Sequence, residues 1–272
     1  MKFIAWDTSS KTGALVAFEA GPHPSFRLAT ELTMNVDSTH SERLLWGIHQ
    51  VLESARWRLD EVDFFGVGTG PGSFTGLRIG VTTARTLAQA LKKPLLGVSS
   101  LAALARPCAV TFSQAWVKHP TWVIAVTDAC KGELFCLRGE ASQVALCSSS
   151  ESGSALWQEA VLEEVIQPEL LVDEIRKKLT QNPLLHWVVV GEGRQRYSEV
   201  WNSLPLDREL TVQGGNGVQG RFLAQLVWEA FLAGDGQDQS PLRVYPRYLR
   251  AADAEIKLRA GLLPPSPQRT GL

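Results

Sequence analysis

Two stretches of the chain share one pattern, and this repeat limits the folds that are open to it. In the first, an apolar run at 3–6 ends at Asp7, and a polar turn with Lys and Gly leads to a second apolar run at 13–18. In the second, the apolar run at 123–127 ends at Asp128 and the same features follow. Each stretch is typical of a β-hairpin. A duplicated α/β unit led by a hairpin explains both, although two hairpins can also resemble each other by chance.

The elements predicted around these hairpins follow one order. The first half is predicted to contain strands at 2–6, 13–18, about 26–34, 64–68 and 95–98, with helices over 41–56, 75–91 and from Ser99 onward. The second half is predicted to contain a third strand around 143–147, helices near 154–165 and 168–180, a strand at 187–190 and a helix at 217–233. Three strands followed by alternating helices and strands are typical of a ribonuclease-H-like core.

The length of 272 residues is sufficient for two domains of this kind. We predict a first ribonuclease-H-like lobe over 1–108 and a second over 109–208, with the helix at 217–233 packing back on the first lobe. The proline-rich tail at 262–272 is predicted to be disordered.

The charge balance limits the partners of the chain. With 27 basic and 28 acidic residues the formal net charge is −1, which is unlike a protein that binds nucleic acid through its bulk charge. Any contact with nucleic acid then needs a local patch or a partner. No apolar run is long enough for a membrane span or a signal peptide, so no membrane contact and a cytoplasmic location are expected.

A glycine-rich string, GTGPGSFTGLRIG at 68–80, follows a predicted strand and precedes a predicted helix. Free N–H groups at such a junction can bind an anion, but the string lacks the Gly-Lys-Ser/Thr ending of a Walker loop and also suits a tight turn. Asp7 can likewise orient Mg²⁺ and phosphate or serve as a turn residue. The candidate phosphate or nucleotide contacts are Asp7, Thr8, Ser9, Gly70, Gly72 and Ser73.

Small residues recur every fourth position in the helix that follows, at Gly76, Gly80, Ala84 and Ala88. Such a row allows close packing, either on the helix's own sheet or on a helix of another subunit, and the spacing leaves both readings open. The five histidines include no pair at i, i+4 and no His-Glu-x-x-His sequence, so no metal site and no catalytic residue are predicted.

Several of these segments together resemble the TsaB (YeaZ) family. They are DTSS at 7–10, STHSERLL at 38–45, the glycine-rich string, PLLGVSSL at 94–101, Asp128-Ala129 with Gly132-Glu133, and Pro246 with Tyr248-Leu249-Arg250. The close resemblance covers about 1–105, and scattered matches extend it to about 250.

The resemblance implies an actin-like ATPase, sugar-kinase and Hsp70 fold with two ribonuclease-H-like lobes. It also implies a role in making N6-threonylcarbamoyladenosine (t6A) in tRNAs that read codons starting with adenine. TsaB is similar to TsaD, the transferase of that system, which holds its metal through paired histidines on a helix. Because this chain has no such pair, a non-catalytic, scaffold-like subunit is expected.

The resemblance further implies the partners. TsaB forms a homodimer or binds TsaD through its first two helices, 41–56 and 75–91 in this chain, and the ATPase TsaE joins them. Contact with tRNA is expected only through the complex. No tightly bound cofactor is expected, but ATP or ADP with Mg²⁺ can lie at the interface with TsaD. The candidate interface residues are His40, Leu44, Leu45, Ile48, Leu52, Gly80, Ala84 and Leu87.

The alternative is an enzyme that acts by itself, either an actin-like ATPase or kinase or a metallopeptidase-like protein. The missing histidine pair argues against a peptidase, and the lack of a second glycine-rich phosphate motif argues against a kinase.

Overall fold

The structure is a computed structural model that describes residues 1–21, 26–35, 40–114, 119–145, 161–210, 216–234 and 240–250. The predicted tail at 262–272 lies outside the described residues.

The first lobe is a five-stranded sheet with helices on both faces. Its elements are β1 (Lys2–Asp7), β2 (Thr12–Ala20), β3 (Phe26–Asn35), α1 (His40–Ala55), β4 (Phe64–Gly68), α2 (Phe74–Leu91), β5 (Leu95–Val98) and α3 (Ser100–Phe112).

The second lobe contains a four-stranded sheet. Its elements are β6 (Thr121–Cys130), β7 (Glu133–Glu140), α4 (Ala141–Ala145), β8 (Leu162–Ile166), α5 (Pro168–Gln181), β9 (His186–Val190), α6 (Glu192–Arg196) and α7 (Ser198–Trp201). The helix α8 (Gly220–Leu232) and a short 3-10 turn (Pro241–Arg243) follow.

The two sheets share one topology. The first has the order β3-β2-β1-β4-β5, with antiparallel pairs around β2 and parallel pairs around β4. The second has the order β8-β7-β6-β9, in which β6 pairs antiparallel with β7 and parallel with β9. The strands β6 to β9 therefore repeat the arrangement of β1 to β4. The prediction of two duplicated ribonuclease-H-like lobes is confirmed.

The central strand β1 shows how the sequence pattern produces these layers. Successive side chains of a strand point to opposite faces. Ile4 and Trp6 accordingly pack in the cluster that contains α1 and α2, whereas Phe3 and Ala5 pack in the cluster that contains α3 and α8. All four side chains are at most 2% exposed, because helices cover both faces of the sheet.

The helices α3 and α8 lie between the sheets. The helix α8 contacts all five strands of the first sheet, and α3 contacts β6, β7 and β9 of the second sheet as well as α8. One continuous apolar cluster therefore runs through both lobes. The boundaries at 108 and 208 stay predictions.

Two predicted elements of the second lobe were wrong. Residues 143–145 belong to the helix α4, and the third strand is β8, which overlaps the end of the segment 154–165 predicted as a helix. Residues 146–160 lie outside the described part. Two charged residues, Glu163 and Glu164, interrupt the apolar pattern that would indicate a strand at β8. In the fold Glu163 pairs with Arg247 and Glu164 pairs with Arg138, and both arginines lie outside this segment. Such tertiary pairing leaves no trace in the periodicity of 162–166.

The row of small residues on α2 faces its own lobe. A Cβ at Gly76 would stand 2.0 Å from the backbone oxygen of Thr8, and one at Gly80 would stand 2.2 Å from the Thr8 hydroxyl. Ala84 and Ala88 are fully buried in the same cluster as α1. The row lets α2 approach the end of β1.

Replacing Gly76 by alanine is expected to lower the free energy of unfolding by about 2 kcal/mol, because the new methyl group meets backbone that cannot rotate away. In a helix, alanine is more favourable than glycine by about 1 kcal/mol. At an uncrowded site the same substitution should therefore raise the free energy of unfolding. The matched control is Gly47→Ala in α1, where the nearest atom is the sulfur of the flexible Met34 side chain. Urea denaturation measures both, and equal stability of the two variants would contradict this account.

Candidate functional site

The carboxylate of Asp7, at the end of β1, is fully buried. Its Oδ1 accepts hydrogen bonds from the Ser9 amide at 2.9 Å and the Ser9 hydroxyl at 2.6 Å, and its Oδ2 accepts one from the hydroxyl of Ser100. Burial raises the pKa of Asp7, and the hydrogen bonds from the two serines act in the opposite direction. The protein's own donors therefore enclose the carboxylate.

The glycine-rich loop between β4 and α2 packs directly on this turn. The Ser73 amide donates to the Ser9 carbonyl at 2.6 Å, and the Gly70 amide donates to the Ser100 hydroxyl at 3.0 Å. A Cβ at Gly72 would stand 2.3 Å from the same Ser9 oxygen. Two of the N–H groups predicted to hold an anion are therefore engaged inside the protein.

The first turn of α2 is also occupied. Ser73 caps the helix, since its hydroxyl accepts a hydrogen bond from the Gly76 amide at 3.2 Å. The Thr8 hydroxyl donates to the Gly76 carbonyl at 2.7 Å. The structure thus brings all six candidate phosphate contacts together, but largely as partners of one another. This arrangement fits a closed turn better than an open phosphate cradle, and the nucleotide contact stays a prediction.

The equivalent turn of the second lobe is built differently. Asp128 accepts hydrogen bonds from the Cys130 amide at 3.0 Å and the Tyr197 hydroxyl at 3.2 Å, and its Oδ2 lies 3.2 Å from Nε of Arg196. Its side chain is 14% exposed. The two aspartates therefore occupy equivalent strand ends without forming a matched pair of ligands.

A narrow cleft, with room for about one water molecule, lies between the two hairpin turns. Its lining is rich in hydroxyl groups and includes Ser9, Ser10, Pro71, Ser100, Leu101, Leu104, Thr127 and residues 216–218. The Thr127 hydroxyl is buried and has no hydrogen-bond partner among the described residues. Within that part of the chain no three His, Cys, Asp or Glu side chains stand close enough together to hold a metal ion.

The structure divides the predicted interface residues of α1. Leu44, Ile48 and Leu52 are at most 8% exposed and pack in the core of the first lobe, so they are not available at its surface. Leu45 is 54% exposed, and its neighbour Trp46 is 56% exposed. For His40 the structure describes only the backbone, where α1 begins.

The predicted interface residues of α2 are mostly interior as well. Gly80 and Ala84 are buried, and Leu87 is half-buried against the α1 cluster. Sequence reasoning missed Trp46, because the apolar positions of α1 cover adjoining faces and their spacing does not show which one meets the sheet.

Comparison with known proteins adds to this geometry. Residues 34–177, more than half of the chain, match the family described as TsaD, tRNA N6-adenosine threonylcarbamoyltransferase. The tRNA threonylcarbamoyladenosine biosynthesis protein TsaB of Escherichia coli K12 is 25% identical over 95% of this chain and 98% of its own length. The chain belongs to the TsaB (YeaZ) family. This family falls within the wider family that is named after the transferase TsaD.

Two further similarities extend over nearly the whole chain. TsaB of Bacillus subtilis 168 is 26% identical over 94% of this chain and 97% of its own length. A crystal structure from Pseudomonas aeruginosa, described as an uncharacterized protein with similarity to peptidase YeaZ, superposes with a TM-score of 0.65 and 25% identity. It covers 92% of this chain and 99% of its own. This relative therefore shares the two-lobed fold described above.

None of the helices in the described parts of the chain has the length and hydropathy that a bilayer span requires.

Proposed function

We propose that this chain takes part in the synthesis of t6A in tRNA as a cytoplasmic, non-catalytic subunit that binds and supports the transferase TsaD. The names of the TsaB relatives support the pathway. The observation that carries the subunit role is the exposed pair Leu45 and Trp46 on α1, on the helix that the family resemblance assigns to the interface.

The pair forms an apolar surface that the lobe does not need for its own core. Leu44 and Ile48 already fill the side of α1 that meets the sheet. Large apolar side chains, tryptophan above all, supply much of the binding energy at protein interfaces. Leu45 and Trp46 therefore replace the buried α1 residues as the centre of the proposed TsaD contact.

The turn around Asp7 favours a supporting role over catalysis. Its carboxylate and two of its loop amides bond within the protein, which leaves few free groups for a reacting substrate. We propose no tightly bound cofactor for this chain alone. ATP or ADP with Mg²⁺ would bind at the junction with TsaD, TsaE would join that complex, and the chain would form a homodimer through α1 when TsaD is absent.

Replacing Leu45 by glutamate is expected to weaken binding to TsaD at least about thirtyfold, because a charge would be buried in an apolar contact. The measurement is co-purification with TsaD, followed by titration calorimetry. Because Leu45 is exposed, the variant should keep its thermal unfolding temperature. A glutamate at Ile48 would instead unfold the lobe.

The matched control is Leu184→Glu, which places the same charge at an equally exposed leucine of the second lobe, before β9. It should bind TsaD normally. Reconstitution of tRNA modification with each variant extends the test, since only Leu45→Glu should lower the yield of t6A. Intact TsaD binding by folded Leu45→Glu would refute the proposed interface.

A further inference from the structure

The segment 240–250, called the strap below, crosses one flank of α2 and joins the two lobes. The Arg247 amide donates to the Thr69 carbonyl at 2.8 Å, and Val244 packs beside Gly97 of β5. At its end Arg250 donates to the carbonyls of Ala129 and Cys130 in the second lobe. The strap is thus fixed at several points along its length.

Between α2 and the strap, arginines lie on exposed aromatic rings. The guanidinium of Arg78 lies 4.7 Å from the ring centre of Phe74, and that of Arg85 lies 4.7 Å from the ring centre of Tyr245. The rings of Phe74 and Tyr248 are 4.9 Å apart. Phe74, Tyr245 and Tyr248 are 39%, 59% and 44% exposed. These five residues of α2 and the strap are together called the arginine–aromatic face below.

The charge of this region differs from that of the chain as a whole. No Asp or Glu occurs between Asp63 and Asp128, although this stretch contains Arg78, Arg85, Lys92, Lys93, Arg106 and Lys118. The strap contains three arginines and no acidic residue. Within the described part of the chain, neither Arg78 nor Arg85 contacts a carboxylate. Arg106, Arg247 and Arg250 pair with glutamates elsewhere in the chain, so the positive charge at this surface rests on Arg78 and Arg85.

The chemistry of this face matches RNA. A guanidinium that rests on a ring keeps its N–H donors for phosphate oxygens, while half-exposed rings can stack on unpaired bases. Acidic side chains of a protein would pair with the arginines but would not stack on the aromatic rings. We infer that the arginine–aromatic face binds RNA with unpaired bases. This step rests on the proposed function: the RNA is the tRNA substrate, and this chain binds it directly rather than only through its partners.

The face lies apart from the proposed TsaD contact. Along α2, Phe74, Arg78 and Arg85 occupy one flank, and Leu87 lies roughly on the opposite side at 3.6 residues per turn. Leu87 packs in the cluster that contains α1, the helix that carries Leu45. The chain can therefore bind TsaD through α1 while the strap side of α2 remains open to RNA.

The test measures binding of an unmodified, fluorescently labelled tRNA transcript to the full chain, alone and in complex with TsaD. The double variant Arg78→Ala/Arg85→Ala should weaken tRNA binding about tenfold and reduce the salt slope of log K by about two. Tyr248→Ala should weaken binding without changing the salt slope, because it removes stacking and no charge. Circular dichroism and thermal unfolding check that each variant is folded.

The control is Arg27→Ala/Arg58→Ala, which makes the same change in net charge at two exposed arginines that pair with Glu19 and Asp60. It should bind tRNA like the wild type. Equal tRNA affinity of the two double variants overturns the inference. So does a loss of TsaD or TsaE binding with unchanged tRNA affinity, which would assign the face to a protein. A failure of the proposed function gives a different result, because the Leu45→Glu variant would then still bind TsaD.

Discussion

Replacing Asp7 by alanine is expected to lower the free energy of unfolding by about 4 kcal/mol. The change leaves the Ser9 amide and the hydroxyls of Ser9 and Ser100 without their acceptor in a fully buried site, and it opens a cavity there. Because Ser100 also accepts from the Gly70 amide, the glycine-rich loop should loosen too. Urea denaturation measures the loss, and hydrogen exchange at Gly70 reports the loop.

The matched variant Asp7→Asn keeps an acceptor oxygen and removes the buried charge. Burial raises the pKa of Asp7, so the folded wild type holds the proton more tightly than the unfolded chain. The stability that the wild type gains from this tighter proton binding is therefore lost as the pH rises above about 4. Asparagine does not titrate, so the variant has no such loss. The stability of Asp7→Asn relative to the wild type should rise with pH. A relative stability that falls over this range would contradict the assigned environment.

The same pair of variants separates a structural aspartate from a catalytic one. If Asp7 is structural, Asp7→Asn should support t6A formation in the reconstituted system while Asp7→Ala loses it through instability. An enzyme that acts by itself through Mg²⁺ at Asp7 would behave differently. In that case, folded Asp7→Asn would lose a Mg²⁺-dependent turnover that the isolated wild-type chain performs.

Replacing Arg247 by alanine is expected to lower the free energy of unfolding by about 3 kcal/mol. Glu163 of β8 lies 2.5 Å from Nη1 of Arg247, accepts a hydrogen bond from Ser99, and has a side chain only 5% exposed. Removing the arginine leaves a buried carboxylate without its counter-charge. The strap also loses one of its contacts with the second lobe, so limited proteolysis after Arg243 should become faster.

The pH dependence identifies the cause of this loss. Burial raises the pKa of Glu163, and Arg247 opposes that rise, so the pKa should rise further in Arg247→Ala. The deficit of the variant should be smaller at about pH 5 than at about pH 8, because protonation removes the unpaired charge at low pH. The double variant Glu163→Gln/Arg247→Ala should recover most of the stability. An equal deficit at both pH values would show that lost packing is the cause.

The sequence predicted the first lobe closely, because its signals are local. The unbroken apolar run from Phe3 to Trp6 is typical of a strand that is buried on both faces, and the string at 68–80 indicates a strand, a turn and a helix. Both the three-strand opening and the duplication follow from such runs. The second lobe was predicted less well, since β8 has two glutamates whose partners lie far along the chain.

The predicted sites show the same division. The row from Gly76 to Ala88 indicated close packing by itself, but only the position of Thr8 shows that the partner is the helix's own lobe. The apolar residues of α1 indicated a helix with much apolar surface, and only the packing on the sheet separates buried Ile48 from exposed Leu45. Asp7 stays a candidate ligand by prediction, and only the folded chain shows that Ser9 and Ser100 donate hydrogen bonds to its carboxylate.

The sequence by itself determined the secondary structure of the first lobe, the duplicated lobes and the family, because apolar runs, helical spacing and a long specific string depend only on neighbours in the chain. The tertiary structure decided which groups meet. It enclosed Asp7 between two serines, left Leu45 and Trp46 at the surface, and brought the strap beside Arg78 and Arg85. Contacts such as Asp7 with Ser100 and Arg85 with Tyr245 join distant parts of the chain and leave no periodicity in the sequence, so only the folded chain can show them.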